Sequence, residues 1–170
     1  QAMDTSAAPT LIFAPTVAST LTLTGGAWSA GNTIYTATFD VADANANVAN
    51  VTIDVTGTKD SNGNAQNDYT PLAEFSIDTL NPTVSSVTAN DPLITDSDSG
   101  TGTFNVVVVF DEAMDTTATP TLTFAPSVAS TLTLTGGAWT VGDTTYTATY
   151  DVADANVAIA NVTIDVTGGK

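Results

Sequence analysis

Two stretches of this chain have residue types and spacing that could do chemistry: Asp60-x-Asn62-x-Asn64, and Asp91 followed by Asp96-x-Asp98. The chemistry on offer is cation binding, because carboxylates, Asn side chains and backbone carbonyls are the hard oxygen donors that Ca²⁺ prefers. The first stretch has the alternating oxygen spacing that opens an EF-hand loop. Its twelfth position, however, is Pro71 rather than Glu, and Gly63 falls fourth instead of sixth. An EF-hand is therefore excluded, and a looser calcium turn competes with a plain Gly/Asn turn between strands. The second stretch crowds three carboxylates into eight residues, which makes it the stronger ligand candidate of the two. Any single Asp among them equally suits a solvated turn.

The residues that are absent narrow the chemistry further. Without Cys there is no disulfide, thiolate nucleophile or Cys-based zinc site, and without His there is no Ser-His-Asp triad or imidazole base. A net charge of −16, with Lys59 and Lys170 as the whole basic complement, excludes binding to a nucleic-acid backbone or an anionic membrane surface. The longest purely apolar run, Val106 to Phe110, is far too short to insert into a membrane as a spanning helix.

The elements that must position these carboxylates are written twice. Residues 2–59 recur at 113–170, and roughly 45 of 59 pairs at an offset of 111 are identical, including all of Leu21 to Trp28 against Leu132 to Trp139. A period this long matches one domain per repeat rather than a solenoid turn. Gln1 aligns with Glu112 and Lys59 with Lys170, so the repeat register implies a piece of a longer tandem array, cut inside a unit at both ends.

Within a unit the hydrophobic period is two. Thr20 to Thr24, Thr33 to Phe39 and Asn50 to Val55 alternate, are rich in Thr, Val, Ile and aromatics, and are separated by turn residues. One unit in order gives seven strands, near 83–89, 102–110, 120–125, 130–135, 144–150, 159–167 and, by way of the first copy, 71–77. The expected fold is all-β, an antiparallel β-sandwich repeated in tandem with almost no helix. Trp28 and Trp139 each follow an expected Gly-Gly turn, and with Phe13, Tyr35, Phe124 and Tyr146 they supply core side chains. Asp54 and Asp165, inside strands, are expected to face outward.

The linker Ile77-Asp78-Thr79-Leu80-Asn81-Pro82 divides the copies, with Pro82 suited to the start of an edge strand. Residues 1–78 then form a repeat lacking its first two strands, and 79–170 a repeat lacking its last. Bare edges of this kind are templates for pairing. The expectation is that they are closed by strand exchange in a homo-oligomer, or by residues 83–110 packing against the first copy.

Several segments together resemble the bacterial Ig-like domains of giant repetitive surface adhesins, including the calcium-dependent extender regions of RTX-type adhesins. They are Asp78-Thr79-Leu80-Asn81-Pro82-Thr83-Val84, Thr103 through Phe110, Tyr146 to Val152, and Val55-Thr56-Gly57 with Asp60-Ser61-Asn62-Gly63-Asn64. The resemblance implies an Ig-like sandwich on the outside of a bacterial cell. Its job there is reach, spacing a terminal binding module from the surface, with neighbouring repeats as partners and Ca²⁺ stiffening the junctions.

If strands simply alternate direction, consecutive loops fall at opposite poles of a unit. The pole near the start of a unit then holds Asp111, Glu112 and Asp115, together with the loop of Asp60, Asn62, Asn64 and Asp68. The far pole holds Asp91, Asp96 and Asp98, the loop of Asp40 and Asp43 (Asp151 and Asp154 in the second copy), and the start of the linker at Asp78. By this parity Asp43 and Asp78 of the first copy meet Asp111 and Asp115 of the second. Carboxylates brought that close repel unless a cation lies between them.

Other functions fit less well. Paired carboxylates can hydrolyse glycosides, but each unit offers Asp almost only in turns and lacks a basic partner, so an enzyme is not expected. A glycan- or ice-binding module could use threonine faces such as Thr20-x-Thr22-x-Thr24 and Thr36-x-Thr38, which are more simply the solvent faces of alternating strands.

Overall fold

The computed structural model describes residues 1–140 and 142–170. Eleven strands carry the fold: β1 (Thr10–Ala14), β2 (Leu21–Ser29), β3 (Ile34–Val41), β4 (Asn47–Thr56), β5 (Ala73–Asp78), β6 (Val84–Ala89), β7 (Gly100–Phe110), β8 (Thr121–Ala125), β9 (Leu132–Trp139), β10 (Thr145–Val152) and β11 (Thr163–Thr167). A single 3₁₀ turn at Asp96–Asp98 is the one helical element among the described residues. The protein is an all-β antiparallel sandwich, and every strand pair is antiparallel. No helix of the described residues is long and apolar enough to cross a membrane. The chain divides into two compact units, Gln1–Leu80 and Asn81–Lys170.

In the first unit one sheet has the order β1-β4-β5 and faces the pair β2-β3. In the second, the four-stranded sheet β6-β7-β10-β9 faces the pair β11-β8. The repeated residues build the same pairs twice. Phe13 meets Ile53 across β1 and β4 as Phe124 meets Ile164 across β8 and β11. Rings then bridge the layers in the same way: Phe13 to Phe39 at 5.5 Å and 87°, Phe124 to Tyr150 at 5.5 Å and 87°. Edge-to-face rings of this kind add about 0.5–1.5 kcal/mol beyond their burial.

Strict alternation places the core. On β7, Phe104, Val106, Val108 and Phe110 are buried while Asn105, Val107 and Val109 are half-buried. Tyr146, Ala148, Tyr150 and Val152 of β10 are buried against them. Full burial of a valine side chain stabilises by about 1.5–3 kcal/mol, so Val106 and Val108 make β7 the keystone of the second unit. The smaller core of the first unit gathers Val17, Val51 and Ile77, with Phe13, Leu21, Val48 and Phe75 packed on it.

The expected Gly-Gly turn before each Trp is not a turn. Strands β2 and β9 run straight through Gly25-Gly26 and Gly136-Gly137. One residue is bulged beforehand: Leu23 pairs with Phe39 but Gly25 with Thr38, and Leu134 pairs with Tyr150 but Gly136 with Thr149. The bulged Thr24 and Thr135 hydroxyls donate to the Thr38 and Thr149 carbonyls, each at 3.1 Å. The ring of Tyr35, or of Tyr146, lies where the Cβ of any larger residue at the second glycine of each pair would stand. The turn comes later, at Ala30-Gly31-Asn32, where all three residues have positive φ. Gly142-Asp143 repeats it with positive φ at both residues.

The last strand of the repeat also differs from expectation, and the two copies explain why. Strand β4 runs from Asn47 because β5 lies beside it, pairing Asn47 with Asp78 and Thr52 with Ala73. Among the described residues of the second unit no strand pairs with β11 on that side, and β11 begins only at Thr163 rather than near 159. Val51 is fully buried, whereas its counterpart Val162 is 39 % exposed. A strand that gains no ladder bonds and no apolar cover has little to offset its ordering entropy.

Candidate functional site

The acidic turns are built locally. In the first unit Met3 bridges to Asp60 and the Asp4 N–H bonds the Lys59 carbonyl, so the start of the unit and the Asp60 loop share one pole. Asp60 is buried. Its Oδ1 accepts from the Asn62 and Asn64 N–H groups at 2.8 Å each, and its Oδ2 from Asn64 Nδ2 at 2.7 Å and from Gln1 Nε2. Those bonds, that from the Asn64 side chain first, hold the carboxyl below the ordinary range. The Asp60 carboxylate thus organises the Asp60-x-Asn62-x-Asn64 turn by accepting from its amide donors.

At the other pole of that unit Thr79 joins the linker to the β3–β4 loop, its N–H bonding the Ala46 carbonyl at 2.8 Å and its hydroxyl oxygen accepting from Ala46 N–H at 3.0 Å. Asp78 Oδ2 accepts from Asn47 Nδ2 at 3.2 Å and its Oδ1 from Leu80 N–H at 3.2 Å. Asp43 Oδ1 accepts from Asn45 N–H at 3.2 Å. Asp43 and Asp78 therefore stand on neighbouring loops.

In the second unit Asp111 clasps Thr83, accepting from its N–H and its hydroxyl at 2.7 Å each, which lowers the Asp111 pKa through the hydroxyl bond first. Asp115 accepts from the Thr117 hydroxyl at 2.6 Å and N–H at 2.9 Å, and its own N–H bonds the Lys170 carbonyl. Its carboxyl is likewise held low by the Thr117 hydroxyl first, with the Lys170 charge a lesser cause.

The opposite pole holds Asp91, Asp96, Asp98 and Asp154. Asp98 closes a capping box over the 3₁₀ turn, its Oδ2 accepting from Thr95 N–H and hydroxyl at 2.7 Å each. The backbone bond is the first cause of its lowered pKa. Asp91 Oδ1 accepts from Leu93 N–H at 2.9 Å and Asp154 Oδ1 from Asn156 N–H at 3.4 Å, while Asp96 is exposed. No three carboxylates converge on one point among the described residues.

Asp151, placed by the sequence in the far-pole loop, accepts from Gly102 N–H at 2.8 Å and fixes the start of β7, where Gly102 has φ of +66°. The Thr hydroxyls of Thr83, Thr95 and Thr117 are the partners of three candidate ligands, and a Thr within three positions of an Asp was a readable signal for two of them. Asp165 is exposed as expected. Asp54 is half-buried instead, with a buried Oδ1 that takes no hydrogen bond. The Thr20-x-Thr22-x-Thr24 run is not a uniform solvent face, since Thr20 is 1 % exposed and Thr24 sits in the bulge, whereas Thr36 and Thr38 of β3 are both exposed.

A second kind of site is apolar. In the first unit a groove of about 520 Å³ runs between the layers along β3, walled by Phe13, Tyr35, Ala37, Phe39, Ile53 and Phe75. Its floor residues recur in the second unit as Phe124, Tyr146, Ala148, Tyr150 and Ile164, where they belong to or pack on the core that Phe104, Val106 and Val108 complete. Comparison of the chain with protein-family models, with curated proteins and with solved structures finds no match.

Proposed function

We propose that the chain is a structural spacer: two consecutive Ig-like repeats of a tandemly repeated bacterial surface adhesin, working outside the cell and without catalysis. The observation that supports this reading is the repetition itself. One sequence builds the same strand pairs, the same bulge and the same cross-layer ring pair twice in succession. A chain made of copied beads is suited to adding length rather than to adding a second active centre.

Calcium is the cofactor that suits this role, and the donor chemistry fits it: Asp43, Asp78, Asp91, Asp96, Asp98, Asp111, Asp115 and Asp154 all offer carboxylate oxygen on turns. Several of them retain an oxygen that takes no part in the turn, as at Asp43, Asp91 and Asp154, where Oδ1 alone accepts. Asp60, Asn62 and Asn64 offer side-chain oxygen on one further turn, where both Asp60 oxygens also accept from amide donors. When bound, the ion would bridge carboxylates that otherwise repel and limit bending between repeats.

Small-angle scattering with and without calcium tests the spacer reading, since an extender lengthens and stiffens when the ion is added. Isothermal titration without heat, together with a melting temperature indifferent to EDTA, would remove calcium from it.

A further inference from the structure

The two units form an internal experiment in which the same strand occurs with and without a neighbour. Strand β10 lies between β9 and β7, whereas its copy β3 pairs with β2 alone. Val152 at the end of β10 is 5 % exposed; the identical Val41 at the end of β3 is 71 % exposed. Tyr146, Ala148 and Tyr150 are buried and line a groove on the β8–β9 side, while Tyr35, Ala37 and Phe39 are half-buried and wall a groove on the β4–β5 side as well. What covers them is visible in the second unit: the inward side chains of β7, with Tyr146 opposite Val108, Ala148 opposite Val106 and Tyr150 opposite Phe104.

We propose that the free edge of β3, with the groove beside it, is an acceptor site for a β6–β7 hairpin of another repeat unit, added by strand augmentation. Carrying the observed register back by the repeat offset of 111 pairs Tyr35 with Val108, Ala37 with Val106 and Phe39 with Phe104 of the incoming strand. The incoming Phe110 then covers Trp28 as Phe110 covers Trp139, at 5.7 Å between rings. Main-chain bonds along an open edge supply affinity and the alternate side chains supply selectivity. Strand β7 suits an apolar groove because Gly100 to Phe110 carries no charged residue. Among the described residues the β6–β7 hairpin is already engaged with β10, so the occupant of the β3 edge is a hairpin that is not paired in this way. The proposal depends on the repeat alone, and neither on calcium nor on the spacer role.

The test is titration of the full chain with a synthetic peptide spanning Asn81 to Asp111. In the Trp139→Phe variant the remaining indole, Trp28, reports the first unit. The expected result is a saturable blue shift at one peptide per chain. In the unsubstituted chain, amide exchange over residues 34–41 should slow at least ten-fold on adding the peptide. The same peptide carrying Val106→Asp and Val108→Asp should do neither. A silent Trp28 with unchanged exchange overturns the proposal. So does an equal response to the Asp-bearing peptide, or a change confined to Trp139 in the Trp28→Phe variant, which would mean the peptide enters the second unit instead.

Discussion

Replacing Gly137 by alanine puts a methyl group where the ring of Tyr146 already lies. The added Cβ would overlap Tyr146 Oη and Cζ and stand 3.1 Å from the Thr147 carbonyl oxygen. The ring has nowhere to go, because Tyr146 is 3 % exposed and packs 5.2 Å from Trp139. Overpacking of a closed core costs about 1–3 kcal/mol, and a clash with ring and backbone together belongs in the upper half of that range. For a unit of this size about 2–3 kcal/mol lowers Tm by roughly 10–20 °C. The repeat supplies two controls. At Gly26 the Cβ meets Tyr35 in the same way, but that ring is half-buried beside the open groove and can tilt, so Gly26→Ala should cost about 1 kcal/mol or less. At Gly136 nothing lies within 4 Å, and Gly136→Ala should be neutral or mildly stabilising, by up to about 1 kcal/mol. Thermal unfolding followed at Trp139 in a Trp28→Phe background measures the second unit alone. A Gly137→Ala loss below about 1 kcal/mol, or a larger loss from Gly136→Ala, would refute the reasoning about the ring.

Val152→Ala should cost about 1–2.5 kcal/mol and Val41→Ala less than about 0.5, measured by denaturant unfolding at Trp139 and Trp28 respectively, because the same residue is buried in one copy and exposed in the other. Native-state amide exchange should be slower across Asn47 to Val51 than across the matching residues 158–162, since β5 pairs with the first set and no strand pairs with the second. The Asp60 carboxyl has a lowered pKa in the folded chain, so its contribution is fully present above the ordinary carboxylate value of about 3.9 and is lost as pH falls through the folded value. Asp60→Asn should therefore be less stable than the parent at pH 7 in a melting experiment, and the gap should narrow as pH falls below the ordinary carboxylate value and Asp60 takes up its proton.

Period-two alternation was enough to read the sheet class, and it located β3, β7, β8 and β10 to within about two residues. It failed at Gly25-Gly26, because paired glycines signal a turn in most contexts and the ring that lies over Gly26 comes from Tyr35, on the neighbouring strand. It also began β11 too early. The residues before Thr163 have strand chemistry in both copies, and whether they form a strand depends on a partner outside the local sequence. The acidic turns were legible as turns. Their internal hydrogen bonding was less so: Asp111 finds its donors in Thr83, far back along the chain.

Lys59 and Asp4, 3.3 Å apart, form the only ion pair among the described residues, and both ends reach the surface. Apart from the weaker influence of Lys170 on Asp115, the remaining carboxylates of a chain with net charge −16 have no cationic side chain beside them, and the folded state concentrates their mutual repulsion. Ionic strength becomes a stabiliser in its own right. Going from about 0.01 M to 0.15 M sodium chloride shortens the screening length from roughly 30 to 8 Å and should raise Tm with no site being filled. Millimolar divalent salt adds to the same screening, so the response to calcium is meaningful only as the excess over an ionic-strength-matched sodium or magnesium solution.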